Sequence, residues 1–131
     1  MISRELLEKV INGKRDERVY LCEQEFALFA MYYFSEFFTY KIPGFHWLMY
    51  QALKQFTQGR FRFLLWIMFR ESAKTSIAKM YVVYCICYRK KRFINWDSYD
   101  KGNSEAALFD IGTWLQTNRR IIADFGQLFF E

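Results

Sequence analysis

The residues best placed to do chemistry lie together near the middle of the chain, in the string MFRESAKTS at residues 68–76. An apolar run precedes this string, and Lys74-Thr75 opens a second apolar stretch. A short polar loop between a strand and a helix is the plan of a phosphate-binding site, in which backbone N–H groups and the helix dipole cradle phosphate oxygens. In that plan the backbone of Arg70, Glu71, Ser72 and Ala73 forms the cradle. Lys74 reaches the β- and γ-phosphates, Thr75 coordinates Mg²⁺, and Ser76 adds a second hydroxyl. The loop departs from G-x-x-x-x-G-K-[ST] at both glycines, since Met68 and Ala73 stand in their places. If Ala73 must take φ > 0, an L-residue there costs about 1–2 kcal/mol. The competing reading is an ordinary strand-to-helix turn with Thr75 as the helix cap.

Other chemistries have fewer candidates. The only histidine is His46, and Cys22, Cys85 and Cys87 lack the paired spacing of a zinc site. An odd cysteine count with one Cys-x-Cys pair is no disulfide framework, so a reducing compartment is expected. The chain has 131 residues, 53% apolar, with 15 Phe, nine Tyr and four Trp, which excludes a disordered chain. Its net charge of +5 is compatible with a phosphate-bearing partner without requiring one. The charged N-terminus does not read as a signal peptide, and no apolar run approaches the roughly 20 residues that span a bilayer. A cytoplasmic protein with no membrane association is expected.

The elements that must position the loop follow from periodicity. Residues 3–13 carry apolar side chains at helical spacing and end at Gly13, suited to a C-terminal cap. Residues 21–40, dense in Phe and Tyr, read as a second, largely buried helix. Pro43-Gly44 breaks it, and residues 45–57 form a third helix closed by Gln58-Gly59. Residues 61–69 (FRFLLWIMF) have the near-continuous apolar character of a strand buried on both faces, and residues 93–96 (FINW) are a second strand candidate. Between them, residues 75–88 read as a helix apolar almost all round. Asn103 or Ser104 caps a further helix ending near Asn118, and residues 119–125 form a short helix or turn stopped by Gly126. The expectation is an α/β fold: a helical portion at 1–58, then a partial P-loop core at 59–131 with two parallel strands joined by a crossover helix. The whole forms one incomplete domain.

The loop, together with Pro43-Gly44-Phe45-His46 and Gly59-Arg60 upstream and residues 93–126 downstream, resembles phage terminase large subunits, the ATPases that package viral DNA. The resemblance spans roughly residues 41–126. It implies that Lys74 contacts the phosphates of ATP and that Thr75 holds Mg²⁺. It also implies that Arg70 senses or stabilises the γ-phosphate, although a salt bridge with Glu71 explains Arg70 equally well. Phe45 and His46 fall where an adenine-side segment would lie; a structural histidine is the plainer reading. The family completes its site with an apolar strand ending in Asp-Glu. Residues 93–97 and 121–124 each end in one aspartate, Asp97 and Asp124, without the second acid. The carboxylate cluster of a two-metal nuclease is not visible either.

The resemblance therefore implies the nucleotide-binding front part of a bacteriophage packaging motor, as a fragment or split gene product in the bacterial host cytoplasm. Its partners would be double-stranded DNA, the remaining half of the terminase, and a homo-oligomeric ring docked on the portal. Hydrolysis would require the missing parts. Two alternatives stand beside it: another P-loop NTPase such as a helicase-like ATPase, or a non-enzymatic basic module that binds nucleic acid or acts as an adaptor. The run Arg89 to Arg92 would meet DNA phosphates or simply end a helix in solvent. The aromatic residues at 26–40 would pack a core or offer a partner surface.

Overall fold

A computed structural model describes residues 2–38, 43–66, 74–91, 93–98 and 100–128. The chain divides into two compact units, Met1–Ile67 and Met68–Glu131. The described residues hold seven α-helices and one 3₁₀ turn, and no strand among them.

In the first unit α1 (Arg4–Asn12) is capped by Ser3, whose hydroxyl accepts from the Leu6 N–H at 3.1 Å, and it buries Val10. Gly13 follows with φ −82°, so it is not the left-handed cap its position suggests. Glycine is required there by space: a Cβ would stand 2.3 Å from the Lys9 carbonyl oxygen. The expected single helix over 21–40 is two. Helix α2 (Arg15–Gln24) ends where Glu25 turns extended, and α3 (Phe26–Tyr33) begins directly after it, leading into a 3₁₀ turn (Ser35–Phe38). Helix α3 buries Phe26, Ala27, Leu28, Phe29, Ala30 and Tyr33, because α1, α2, α4 and the 3₁₀ turn all pack on it. The aromatics of this stretch are thus mainly core. Helix α4 (Gly44–Thr57) starts after Pro43 and sends Tyr50 against Phe26, ring centroids 5.8 Å apart. The Lys54 ammonium donates to the Glu25 carboxylate, fixing the α2–α3 corner against α4. Gly59, at φ +79°, donates to Phe56 O while Arg60 donates to Gln55 O, the pair of bonds that closes a Schellman cap.

In the second unit α5 (Lys74–Cys87) packs on α6 (Lys101–Thr117), and α6 on α7 (Arg119–Phe125). Ile77, Met80, Val83 and Tyr84 of α5 and Ala107, Ile111 and Leu115 of α6 are buried. Asp100, not Asn103 or Ser104, caps α6, accepting from the Asn103 N–H at 2.7 Å. Asn118 ends α6 and caps α7 through its side chain, which accepts from Ile121 N at 3.1 Å. Asp124 is buried within α7, so the run 121–124 is helical and ends no strand.

The expected α/β core is therefore corrected. Residues 61–66 and 93–98 form no ladder, and the parallel pair with its crossover helix is not the architecture of this chain; residues 67–69 lie outside the described ones. The physical reason is that an apolar run of a few residues carries no periodicity of its own, and a strand exists only when another strand supplies its hydrogen bonds. Here Phe63 and Phe93 are 89% and 83% exposed. Among the described residues no helix is long and apolar enough to cross a membrane.

Candidate functional site

The site is built on the first turn of α5. Lys74 is its first residue and Thr75 its second, both exposed, and Ser76 is half-buried. Thr75 thus stands inside the helix and is not its cap. Beyond Ser76, α5 is apolar apart from Lys79 and two tyrosines, and it packs on α6. The first N–H groups of any helix have no acceptor within it, and the dipole makes that end electropositive. Of the sequence-derived candidates, Arg70, Glu71, Ser72 and Ala73 lie outside the described residues.

Lys74 and Thr75 line a cleft of about 670 Å³, within the roughly 300–1,000 Å³ of small-molecule sites. Its remaining wall combines Lys79 with Trp96, Asp97 and Ser98 from the segment after α5, and Asn103, Ala106 and Ala107 from the start of α6. Lys74 gives the lining a cation and Thr75 a hydroxyl, while Trp96 is half-buried and the Asp97 carboxylate accepts from Asn95 Nδ2 at 2.7 Å. Lys79 is largely committed elsewhere: its ammonium donates to Asp110 Oδ2 at 2.6 Å and joins α5 to α6. Asn103 is held at the helix start by Asp100, which takes its backbone N–H and its Nδ2, the latter at 3.1 Å.

The phosphate-loop reading found Lys74 and Thr75 and passed over Lys79, Trp96, Ser98 and Asn103. For Lys79 the signal was present, since it follows Thr75 by four residues and so shares a helix face with it. In sequence Asp97 reads only as a strand-ending acid; in the structure it reaches the cleft in an irregular segment. Nothing local marks Trp96, whose place depends on how the chain returns after α5. His46 lies in the first unit, in the opening turn of α4, its ring 4.4 Å from that of Phe45.

No set of three metal-ligating side chains converges among the described residues. Mg²⁺ does not need one, because it keeps several waters and takes oxygens from substrate phosphates alongside one or two protein ligands. The Thr75 hydroxyl fits that mode. No disulfide joins the three cysteines, and burial pushes the Cys87 thiol up to about 12 and raises that of Cys85, which removes both from nucleophilic chemistry near neutral pH. Comparison of the chain with protein-family models, curated proteins and solved structures finds no match.

Proposed function

We propose that this chain binds Mg-ATP at the start of α5, as the nucleotide-binding N-terminal part of a viral DNA-packaging ATPase of the terminase type. The observation that carries the reading is that Lys74 and Thr75, both exposed, share the wall of a cleft of about 670 Å³. The likeness of residues 41–126 to terminase large subunits supports the same assignment. A parallel-sheet core is no part of it.

In this reading the Lys74 ammonium neutralises phosphate charge, and N–H groups of the first turn of α5 donate to phosphate oxygens. The Thr75 hydroxyl serves as a ligand to Mg²⁺, which supplies charge neutralisation on the phosphates. Arg70 would act on the γ-phosphate as the resemblance implies. Asp97 lines the cleft, but the sequence pairs no second acid with it as the family's Asp-Glu strand end does, so the chain alone is expected to bind nucleotide with negligible turnover. DNA, the remaining half of the motor and a portal-docked ring of copies are its partners in the complete machine, working in the bacterial cytoplasm.

Titration calorimetry with Mg-ATP tests this. Lys74→Ala is expected to weaken binding at least tenfold with little loss of stability, since the side chain is exposed. Equal affinities would refute the assignment, and Lys74-dependent turnover by the isolated chain would refute its incompleteness. A second reading has its own observation: Arg89, Lys90 and Lys91 are exposed at the end of α5. As a nucleic-acid-binding module the chain would bind duplex DNA with an affinity that falls steeply with salt and ignores Lys74→Ala.

A further inference from the structure

Charge in the second unit is sorted by end, and the sorting follows from the direction of its helices. Lys74 and Thr75 share a cleft with Ala106 and Ala107, and further along Lys79 bridges to Asp110. Helices α5 and α6 therefore run the same way. Each continues about two turns beyond that bridge, so Cys87 and Thr117 bring both C-terminal ends to one end of the unit. Helix α7 is held at the same end, the Phe125 ring lying 5.1 Å from that of Tyr88. Arg89, Lys90 and Lys91 follow α5 there and Arg119 opens α7, all of them exposed. The described acids of the unit do not balance them. Asp97, Asp100 and Glu105 lie by the start of α6, Asp110 is paired with Lys79, and Asp124 is buried. Helix dipoles favour a cation at each C-terminus. They do not call for Phe93, which is 83% exposed and stands at most about 7 Å along the chain from Lys91.

Cations beside an exposed aromatic ring fit one class of anion. A duplex would meet only the cations, because its bases are stacked on one another and offer Phe93 no face. A lipid surface would ask for a broad apolar face, whereas Phe93 and the less exposed Ile94 stand on an irregular segment. A single strand uses both features, its phosphates on the cations and an unstacked base on the ring. We infer that this end of the second unit binds single-stranded nucleic acid, with Phe93 as the stacking residue and Arg89 and Arg119 on the phosphate backbone. The inference rests on the nucleic-acid reading of Arg89 to Lys91 and narrows it from duplex to single strand. It is independent of the α5 cleft.

The test is fluorescence anisotropy of the whole chain with a labelled oligothymidylate of about 20 nucleotides, long enough to cover one binding site, and with a duplex of the same length. Wild type is expected to bind the single strand at least fivefold more tightly than the duplex. Phe93→Ala is expected to bring the single strand down to the duplex level while leaving duplex affinity unchanged, and Phe93→Trp to keep the preference. Arg89→Gly and Arg119→Ala should weaken both ligands together and flatten the salt dependence. Arg89→Gly relieves a φ of +53°, so its loss of binding would not come from unfolding. Equal wild-type affinities for strand and duplex would overturn the inference without any variant and leave the nucleic-acid reading standing. So would a folded Phe93→Ala that keeps the full preference. If wild type binds neither nucleic acid, that reading itself fails and the stacking role falls with it; binding to vesicles of phosphatidylserine and phosphatidylcholine would then assign this end to lipid instead.

Discussion

Among the described residues the first unit buries five aromatic rings around α3, whereas the second buries one, Tyr84, and fills the rest of its core with smaller, non-aromatic side chains. Phe26, Phe29, Tyr33, Phe34 and Tyr50 are all buried around α3. Ile77, Val83, Ile111, Leu115 and Ile121 fill the second unit, while Phe93 and Phe109 are exposed and Trp96 borders the cleft. The difference follows from the number of neighbours. Four elements wrap α3, an eight-residue helix whose Phe- and Tyr-rich sequence has weak helix propensity and is held by packing. Helix α5 is gripped by α6, and its polar first turn is left open to the cleft. Burial on all sides makes a core, and partial burial makes a site.

Core truncations give the largest test of this contrast. Phe29→Ala is expected to destabilise the first unit by about 3–5 kcal/mol, and Ile77→Ala the second by about 2–4 kcal/mol, because an aromatic side chain leaves the larger cavity. Urea unfolding with peptide-resolved hydrogen exchange would read each unit separately. A larger loss for Ile77→Ala would reverse the proposed order.

Alkaline pH sharpens the comparison with a smaller effect. Burial holds the Cys87 thiol protonated up to about 12 from an ordinary 9.0, and it raises the Tyr50 hydroxyl from 10.0. The folded state therefore keeps protons that the unfolded chain releases. The stabilisation is complete below the unfolded value and is lost as pH rises toward the folded one. Through Cys87 the second unit should begin to weaken above pH 9, by about 1 kcal/mol at pH 10, and through Tyr50 the first should lose further stability above pH 10. Hydrogen exchange corrected for intrinsic rates across pH 8–11 checks the order, and Cys87→Ala should remove part of the earlier loss.

The smallest test lies in two helix ends of the same design. Arg89 at φ +53° donates to Ile86 O and Lys90 to Cys85 O, repeating at the end of α5 the Schellman bonds that Gly59 makes for α4. Only the first unit uses the residue that suits the geometry. Gly59→Ala should cost about 1 kcal/mol through backbone strain alone, because its Cβ would meet nothing within 4 Å. Arg89→Gly should gain about 0.5 kcal/mol, the relief of strain being partly offset by glycine's greater unfolded-state entropy. Thermal melts of the two variants, shifted in opposite directions, would bear this out.

Much of the helical plan was legible locally. The 3.6-residue spacing, Pro43-Gly44, Gln58-Gly59, Asn118 and Gly126 mark α4, α6 and α7 to within a few residues, and the apolar run after Lys74 marks α5. The break at Glu25 was not legible, because neither Pro nor Gly signals it and its partner Lys54 comes from a helix 29 residues away. The reading of 61–69 and 93–96 as strands failed over the described residues 61–66 and 93–96 for a related reason: a strand is a relation between two segments, and an apolar run shows only one of them.

Of the site, Lys74 and Thr75 could be chosen from sequence because their chemistry depends on a local feature, the start of a helix. Trp96, Asp97 and Asn103 could not, because they meet α5 only after the chain has turned back and α6 has docked on it. The sequence by itself determined which stretches become helices, since that follows from side-chain spacing along one helix face. Only the tertiary structure decided which apolar runs stay unpaired and what faces Lys74 across the cleft, because those depend on packing between residues distant in the chain.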